Sequence, residues 1–230
     1  MISTPWSRSL GLRAPILNAP MGGVAGSALA TAVSNAGGLG MIGMGSAGSV
    51  EALRAQLRGL SRLDRPFGIG LLGWAVETEP QLLSAALEAC PTIVSVSFGD
   101  DLGWIRRTHD AGVLAVTQVA DVRAALRAVE AGVDVVVARG LEGGGHGEFR
   151  VGTLPLLATI LDRVDVPVIA AGGIASGRGL AAVLAAGASA AWVGTAFSAC
   201  PESMLADGAR EAVVNATNTD TVTTRVFDVA

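Results

Sequence analysis

Residues 113–139 read "VLAVTQVADVRAALRAVEAGVDVVVAR". Two Val-rich apolar runs, 113–119 and 133–139, flank a segment whose apolar residues recur at helical spacing. Asp121 stands at its start as an N-cap, and Ala131-Gly132 at its end gives the glycine stop of a helix. The flanking runs are apolar throughout instead of alternating. Strands of that kind are covered on both faces, which implies a parallel sheet wrapped in helices.

The same alternation extends in both directions. Candidate strands are "APILNAP" (14–20), "LGMIGMG" (39–45), "FGIGLL" (67–72), "IVSVSF" (93–98), "VPVIAAG" (166–172) and "AAWVG" (190–194), besides the two already quoted. Between them lie helical stretches such as "SVEALRAQLRGLSRL", "EPQLLSAALEAC", "LPLLATILDRV" and "GRGLAAVLAAG", the last preceded by Ser176 as a second N-cap. Eight βα units in 230 residues predict an α/β protein, a parallel eight-stranded (β/α)8 TIM barrel, with residues 1–230 as one domain. The alternative is an open doubly wound sheet, which has fewer strands and an early G-x-G-x-x-G loop. "APMGGVAGS" has early glycines without that spacing. The final stretch predicts a helix at roughly 203–216, a polar turn and a short extended tail.

Composition removes several chemistries. All sixteen basic residues are arginine, so lysine Schiff bases are excluded, as are pyridoxal-phosphate enzymes. There is no tyrosine to act as a phenolic acid. Two histidines and two distant cysteines, Cys90 and Cys200, match neither a zinc site nor a disulfide pattern, so no metal is expected. A net charge of −4 with scattered charges shows no nucleic-acid footprint. No apolar run is long enough to span a bilayer, and the start lacks a signal-peptide pattern. A soluble, cytoplasmic protein is the expectation, and a homo-oligomer is left open.

In such a barrel the site lies at the C-terminal ends of the strands. Ala19, Met21 and Gly22 follow the first strand there, Gly70 to Trp74 the third, Gln118 ends the fifth, and Arg139 through His146 follow the sixth. "AAGGIASGRG" (170–179) and "VGTAF" (193–197) follow strands seven and eight. They put Gly172, Gly173, Val193, Gly194 and Thr195 where backbone N–H groups at helix starts bind phosphate. Tight strand-to-helix turns are the plainer explanation of either pair alone. Bare glycine at Gly22, Gly70, Gly144 and Gly172 leaves room for a flat group over the mouth, and flavin mononucleotide fits that space. "GLEGGGHGEF" (140–149) sets His146 after three glycines. An imidazole there can take a proton from a carbon acid at neutral pH, or it is a surface residue satisfied by water. His109, near a helix C-terminus, suits a dipole-stabilising cation and is given no catalytic role. Glu142 orients His146, caps backbone amides of its loop, or is idle.

With these residues in place, "APILNAPMGG", "ARGLEGGGHGEF", "VPVIAAGGI" and "WVGTAFSACPES" resemble the nitronate monooxygenases, also called 2-nitropropane dioxygenase-like proteins, in order and spacing along nearly the whole chain. The resemblance implies an FMN enzyme that oxidises nitronates or nitroalkanes with molecular oxygen to a carbonyl compound and nitrite. By position, His146 matches the family histidine that abstracts the α-proton of a neutral nitroalkane. Gly144, Gly145, Gly172, Gly173, Val193, Gly194 and Thr195 match flavin-contacting positions, and Ala19, Met21 and Gly22 would lie against the ring. Gly70 stands where many members have asparagine, and Arg139 where many have glutamine or serine. The chain also stops after "TRVFDV", where relatives continue.

Three other readings compete. An FMN-dependent enoyl-acyl-carrier-protein reductase shares this barrel and a similar Gly-Gly-His loop, and would consume NAD(P)H. A flavin-free lyase or isomerase would bind its substrate's own phosphate, and a non-catalytic flavin carrier would not need His146. The inosine-monophosphate dehydrogenase type requires a cysteine after strand six, where this chain has none.

Overall fold

The computed structural model describes residues 2–60, 63–147, 150–222 and 224. Eight parallel strands run β1 (Ile16–Asn18), β2 (Gly40–Gly43), β3 (Phe67–Leu72), β4 (Ile93–Ser97), β5 (Leu114–Val119), β6 (Val135–Arg139), β7 (Val168–Ala171) and β8 (Ala190–Val193). From β2 to β8 each pairs with its neighbour in sequence, and β1 pairs with β8 in the register Leu17 to Trp192. The fold is the (β/α)8 barrel. The eight expected strands all form, trimmed by a residue or two at their ends.

The helices are α1 (Pro5–Ser9), α2 (Ser27–Asn35), α3 (Val50–Gly59), α4 (Gly73–Thr78), α5 (Gln81–Glu88), α6 (Trp104–Asp110), α7 (Val122–Glu130), α8 (Thr153–Leu161), α9 (Gly177–Ala185), α10 (Thr195–Ser198) and α11 (Asp207–Asn215). Asp121 and Ser176 cap α7 and α9 by accepting from the N–H groups of Ala124 and Gly179. Gly37, Gly112, Gly132 and Gly187 follow four helices with φ between 70° and 104°, a left-handed conformation that costs glycine little. Two short helices, α1 and α4, were not expected from the sequence, and α10 was expected only as a helix start after β8. Their four to six residues are too few to show a helical period. The predicted last helix is shorter, and most of the extended tail lies outside the described residues.

Two apolar layers result. Leu17, Leu39, Met41, Ile93, Val116, Val135, Val137, Ile169 and Trp192 fill the barrel interior, and Trp6 and Leu12 join them. The outward strand residues, such as Val94, Val136 and Val168, pack under the helices with Leu53, Leu82, Ile105 and Leu157. The continuously apolar strands are explained: β2, β4, β6, β7 and β8 are buried at every residue.

Closure between β1 and β2 rests on less backbone pairing than the other joints. Among the described residues only a single parallel bridge, Leu17 to Leu39, links them. The side chain of fully buried Asn18 supplies the rest. Its Nδ2 donates to the Met41 carbonyl at 2.9 Å, and its Oδ1 accepts from the Met41 N–H at 2.8 Å. One amide side chain thus satisfies both backbone groups of a residue on the facing strand. Asn18→Leu keeps the shape but orphans both groups, at roughly 1–3 kcal/mol each. Denaturant unfolding is expected to show a loss of about 2–4 kcal/mol. A loss below about 1 kcal/mol would mean the seam does not depend on Asn18.

Candidate active site at the barrel mouth

The interior rows end at the mouth. On β6, Val135 and Val137 point inward and Arg139 continues the row; it is 3% exposed. Burial pushes its guanidinium down to about 10, so it stays protonated at neutral pH. On β4 and β5, Ser95 and Ser97 are buried, and Gln118 bonds the Ser97 hydroxyl through both its backbone N–H and its amide, at 3.2 and 3.4 Å.

The β1–β3 side of the mouth is closed by the chain itself. A Cβ on Gly70 would stand 2.3 Å from the Pro20 ring, and one on Gly43 would meet the Pro20 backbone at 2.3 Å. Likewise a Cβ on Gly22 would meet Gly45 Cα at 2.3 Å, and one on Gly172 would meet Thr153 Oγ1 at 2.6 Å. Of the four glycines expected to leave room for a ligand, only Gly144 has open space where a side chain would be. The other three are glycine because protein atoms fill that direction.

The loop after β6 is built over Arg139. Its guanidinium donates to the carbonyl of His146, and to that of Gly143 at 3.1 Å. A Cβ on Gly143 would press on the Arg139 stem at 3.0 Å. Gly145 and Gly147 turn the chain at φ of 94° and 96°. This path sets the His146 imidazole between two rings: Trp74 at 5.1 Å and 88°, and Phe98 at 5.8 Å and 72°, both edge-on. Phe98 has φ of 64°, rare for a bulky residue, and its ring also faces the Arg139 guanidinium at 5.6 Å. The loops after β3 and β4 approach closely enough that a Cβ on Gly73 would lie 2.7 Å from Gly99 Cα. Glu148 and Phe149 lie outside the described residues.

Glu142 does not reach for His146. Its carboxylate accepts from the Thr153 N–H and hydroxyl, both at 2.8 Å, and so caps α8, whose N-cap residue Gly152 has no side chain for the task. Desolvation would raise its pKa, but the hydrogen bonds from its own backbone and from Thr153 outweigh that and hold it below the ordinary value.

On the far side, Gly173 has φ of 66°, and Gly194 precedes α10 with Met21 Sδ 3.6 Å from where its Cβ would be. Among the described residues, no backbone or side-chain acceptor takes the N–H of Gly173, Gly194 or Thr195. These donors lie on the two adjacent loops after β7 and β8, with Ala19 and Met21 of the β1 turn beside Gly194. The set fits a phosphate at β7–β8. With Gln118 and the Ser97 hydroxyl at the ends of β5 and β4, the residues at the mouth could hold a flavin. Clefts of about 390 Å³ over β4–β5 and about 400 Å³ beside Gly22, Gly45 and Met204 flank the mouth.

The nitronate monooxygenase family model matches residues 4–230. The chain belongs to that family. A nitronate monooxygenase of Paraburkholderia phytofirmans is 35% identical, over 89% of this chain and 69% of that protein. The (3aS,4S,5R,7aS)-5-hydroxy-7a-methyl-1-oxo-octahydro-1H-indene-4-carboxyl-CoA dehydrogenase of Rhodococcus jostii is 32% identical, over 99% of this chain and 64% of that protein. Among solved structures, FabK from Thermotoga maritima superposes with a TM-score of 0.90 at 36% identity, covering 98% of this chain and 72% of that one. The nitroalkane oxidase of Streptomyces ansochromogenes superposes at 0.81 and 34% identity, covering 90% and 72%. As a family member the protein is a flavin-dependent oxidoreductase, which sets aside the flavin-free lyase and the non-catalytic carrier. Among the described residues, no helix is long and apolar enough to cross a membrane, and no cluster of three or more metal-ligating side chains occurs.

Sequence reasoning missed Asn18, Ser97 and Thr153, and read Pro20 only as one of the residues that follow the first strand. Each acts through a hydrogen bond or close contact to a distant strand end, which a local pattern does not carry. Because the folded Glu142 pKa is depressed, its contribution to stability is present above the unfolded value and lost as pH falls through the folded one. Glu142→Gln is therefore expected to unfold more easily than the parent at neutral pH. The gap should close as pH falls below about 4, in thermal melts across pH. A gap independent of pH would remove the carboxylate from the cap.

Proposed function

We propose that this protein is an FMN-dependent oxidoreductase that oxidises nitronates and nitroalkanes with molecular oxygen, giving a carbonyl compound and nitrite. Residues 1–230 are read as one flavin-binding barrel. The observation that carries this reading is His146, presented at the mouth between Trp74 and Phe98 with the buried Arg139 cation beneath its loop. A nitronate is an anion, and the inward groups at the mouth described above are a cation, hydroxyls and an amide. Glu142, the nearby carboxylate, is turned away to α8. That electrostatic pattern favours a substrate carrying negative charge.

The chain's own residues would divide the work. The N–H groups of Gly173, Gly194 and Thr195 hold the cofactor phosphate, with Gly172 and Val193 at the same strand ends. Ala19, Met21 and Gly22 edge the ring from β1, while Gln118, Arg139, Gly144 and Gly145 bound it from β5 and β6. Gly70, behind Pro20, acts by admitting that proline. When bound, the flavin supplies the electron acceptor for the substrate and the means of passing electrons to oxygen. His146 receives the α-proton when the substrate arrives as a neutral nitroalkane, and Trp74 and Phe98 keep water from its ring.

A second reading, NAD(P)H-dependent reduction of an enoyl thioester, draws on the likeness to FabK and on the CoA ester named for the Rhodococcus relative. NADH consumption with an enoyl thioester would favour it. For the nitronate reading, His146→Asn is expected to reduce turnover of neutral nitroalkanes by about 10²-fold or more, with far less effect on preformed nitronates. Equal losses on both substrates would take the proton-transfer role away from His146.

A further inference from the structure

The glycine-rich loop has a buried support that the proposed reaction does not itself call for. Arg139 is charged, 3% exposed, and lies at the end of an otherwise apolar interior row. Burying a guanidinium is costly unless hydrogen bonds compensate it. Two of its bonds go to main-chain carbonyls of one loop, those of Gly143 and His146. The fork geometry of arginine suits two acceptors at once, and a shorter or single donor does not hold them in the same way. The loop is shaped to receive it, because Gly143 has no Cβ where the arginine stem passes, and Gly145 leaves the guanidinium room at 3.7 Å.

We propose that Arg139 is the positioning residue for His146: its guanidinium clamps the β6 loop through the carbonyls of Gly143 and His146, and so holds the imidazole between Trp74 and Phe98. The clamp acts on the backbone of the very residue whose side chain is placed, so its loss moves the ring directly. Apart from Arg139, the loop around His146 is glycine at 143, 144, 145 and 147, with little intrinsic stiffness of its own. The catalytic consequence rests on His146 being the proton acceptor; the structural one does not.

The chain has two histidines, so in protein carrying ring-13C-labelled histidine the imidazole C–H signals report on His146 and His109 alone, and His146→Asn assigns them. In the purified protein with FMN added, the neighbouring rings displace the His146 signals from those of a solvent-exposed histidine. Arg139→Met, which fills the volume without a buried charge, is expected to return the His146 signals toward the exposed position. The His109 signals, held by the Asp134 contact at 2.9 Å, should stay in place and report an intact fold. His146 signals unmoved in Arg139→Met overturn the proposal. Should that variant not fold, Arg139→Lys is expected to shift them in the same direction by less, and an unmoved signal there overturns it equally. In turnover, the ratio of neutral-nitroalkane to nitronate rates is expected to fall by about tenfold in Arg139→Met, since a small misplacement of a catalytic group is costly. An unchanged ratio contradicts the positioning role. Absence of any nitro-substrate turnover in the parent protein would count against the function, while the NMR comparison still decides the clamp.

Discussion

A parallel barrel has to join its first strand to its second, and here that joint hangs on one buried amide. Asn18 pairs with both backbone groups of Met41, where a longer ladder would otherwise be needed. The position of the β1 turn follows from it. Pro20 is carried across the mouth onto Gly43 and Gly70, while Met21 comes against Gly194, just after β8. Closure and site construction meet in the same few residues: directly after the seam residue, the Ala19 N–H donates to the Val193 carbonyl at the end of β8. Asn18 could not do this from an exposed position, since water would compete for the same groups.

The opposite half of the mouth depends on a buried charge. Arg139 sits where an apolar side chain would have continued the β6 row, and the desolvation it suffers is visible in its lowered pKa. In exchange it fixes a loop that glycine alone would leave loose. Glu142 anchors the same loop from outside, through α8, with the Thr153 hydroxyl within 3.1 Å of the Gly172 carbonyl. The two charged residues that precede the glycine run act on different neighbours. Arg139 holds the loop from beneath, and Glu142 ties it to the helix layer.

The fold was legible because strand and helix signals are local. Val-rich runs, the caps at Asp121 and Ser176 and the Ala-Gly stops each announce themselves within a few residues. The candidate site was legible as a set of strand ends, since Arg139, His146 and the β7–β8 glycines end or follow parallel strands on the same side of the barrel. The reasons for individual glycines were not legible. Gly143, one of the three glycines before His146, proves to be clearance for Arg139, and Gly70 reads as ligand space and proves to be clearance for Pro20. Such contacts join residues far apart in the chain or depend on where a side chain points, and neither is written in a local pattern.

The central claim is that the loops after β7 and β8 hold the phosphate of a flavin mononucleotide whose ring lies over the mouth. Titration of the purified protein with FMN and with riboflavin, followed by the shift of the visible flavin bands, tests it most directly. The account predicts that FMN binds with a shifted spectrum and that riboflavin, lacking the phosphate, binds at least about tenfold more weakly. Equal affinity for the two, or no shifted flavin bands with FMN, would contradict it.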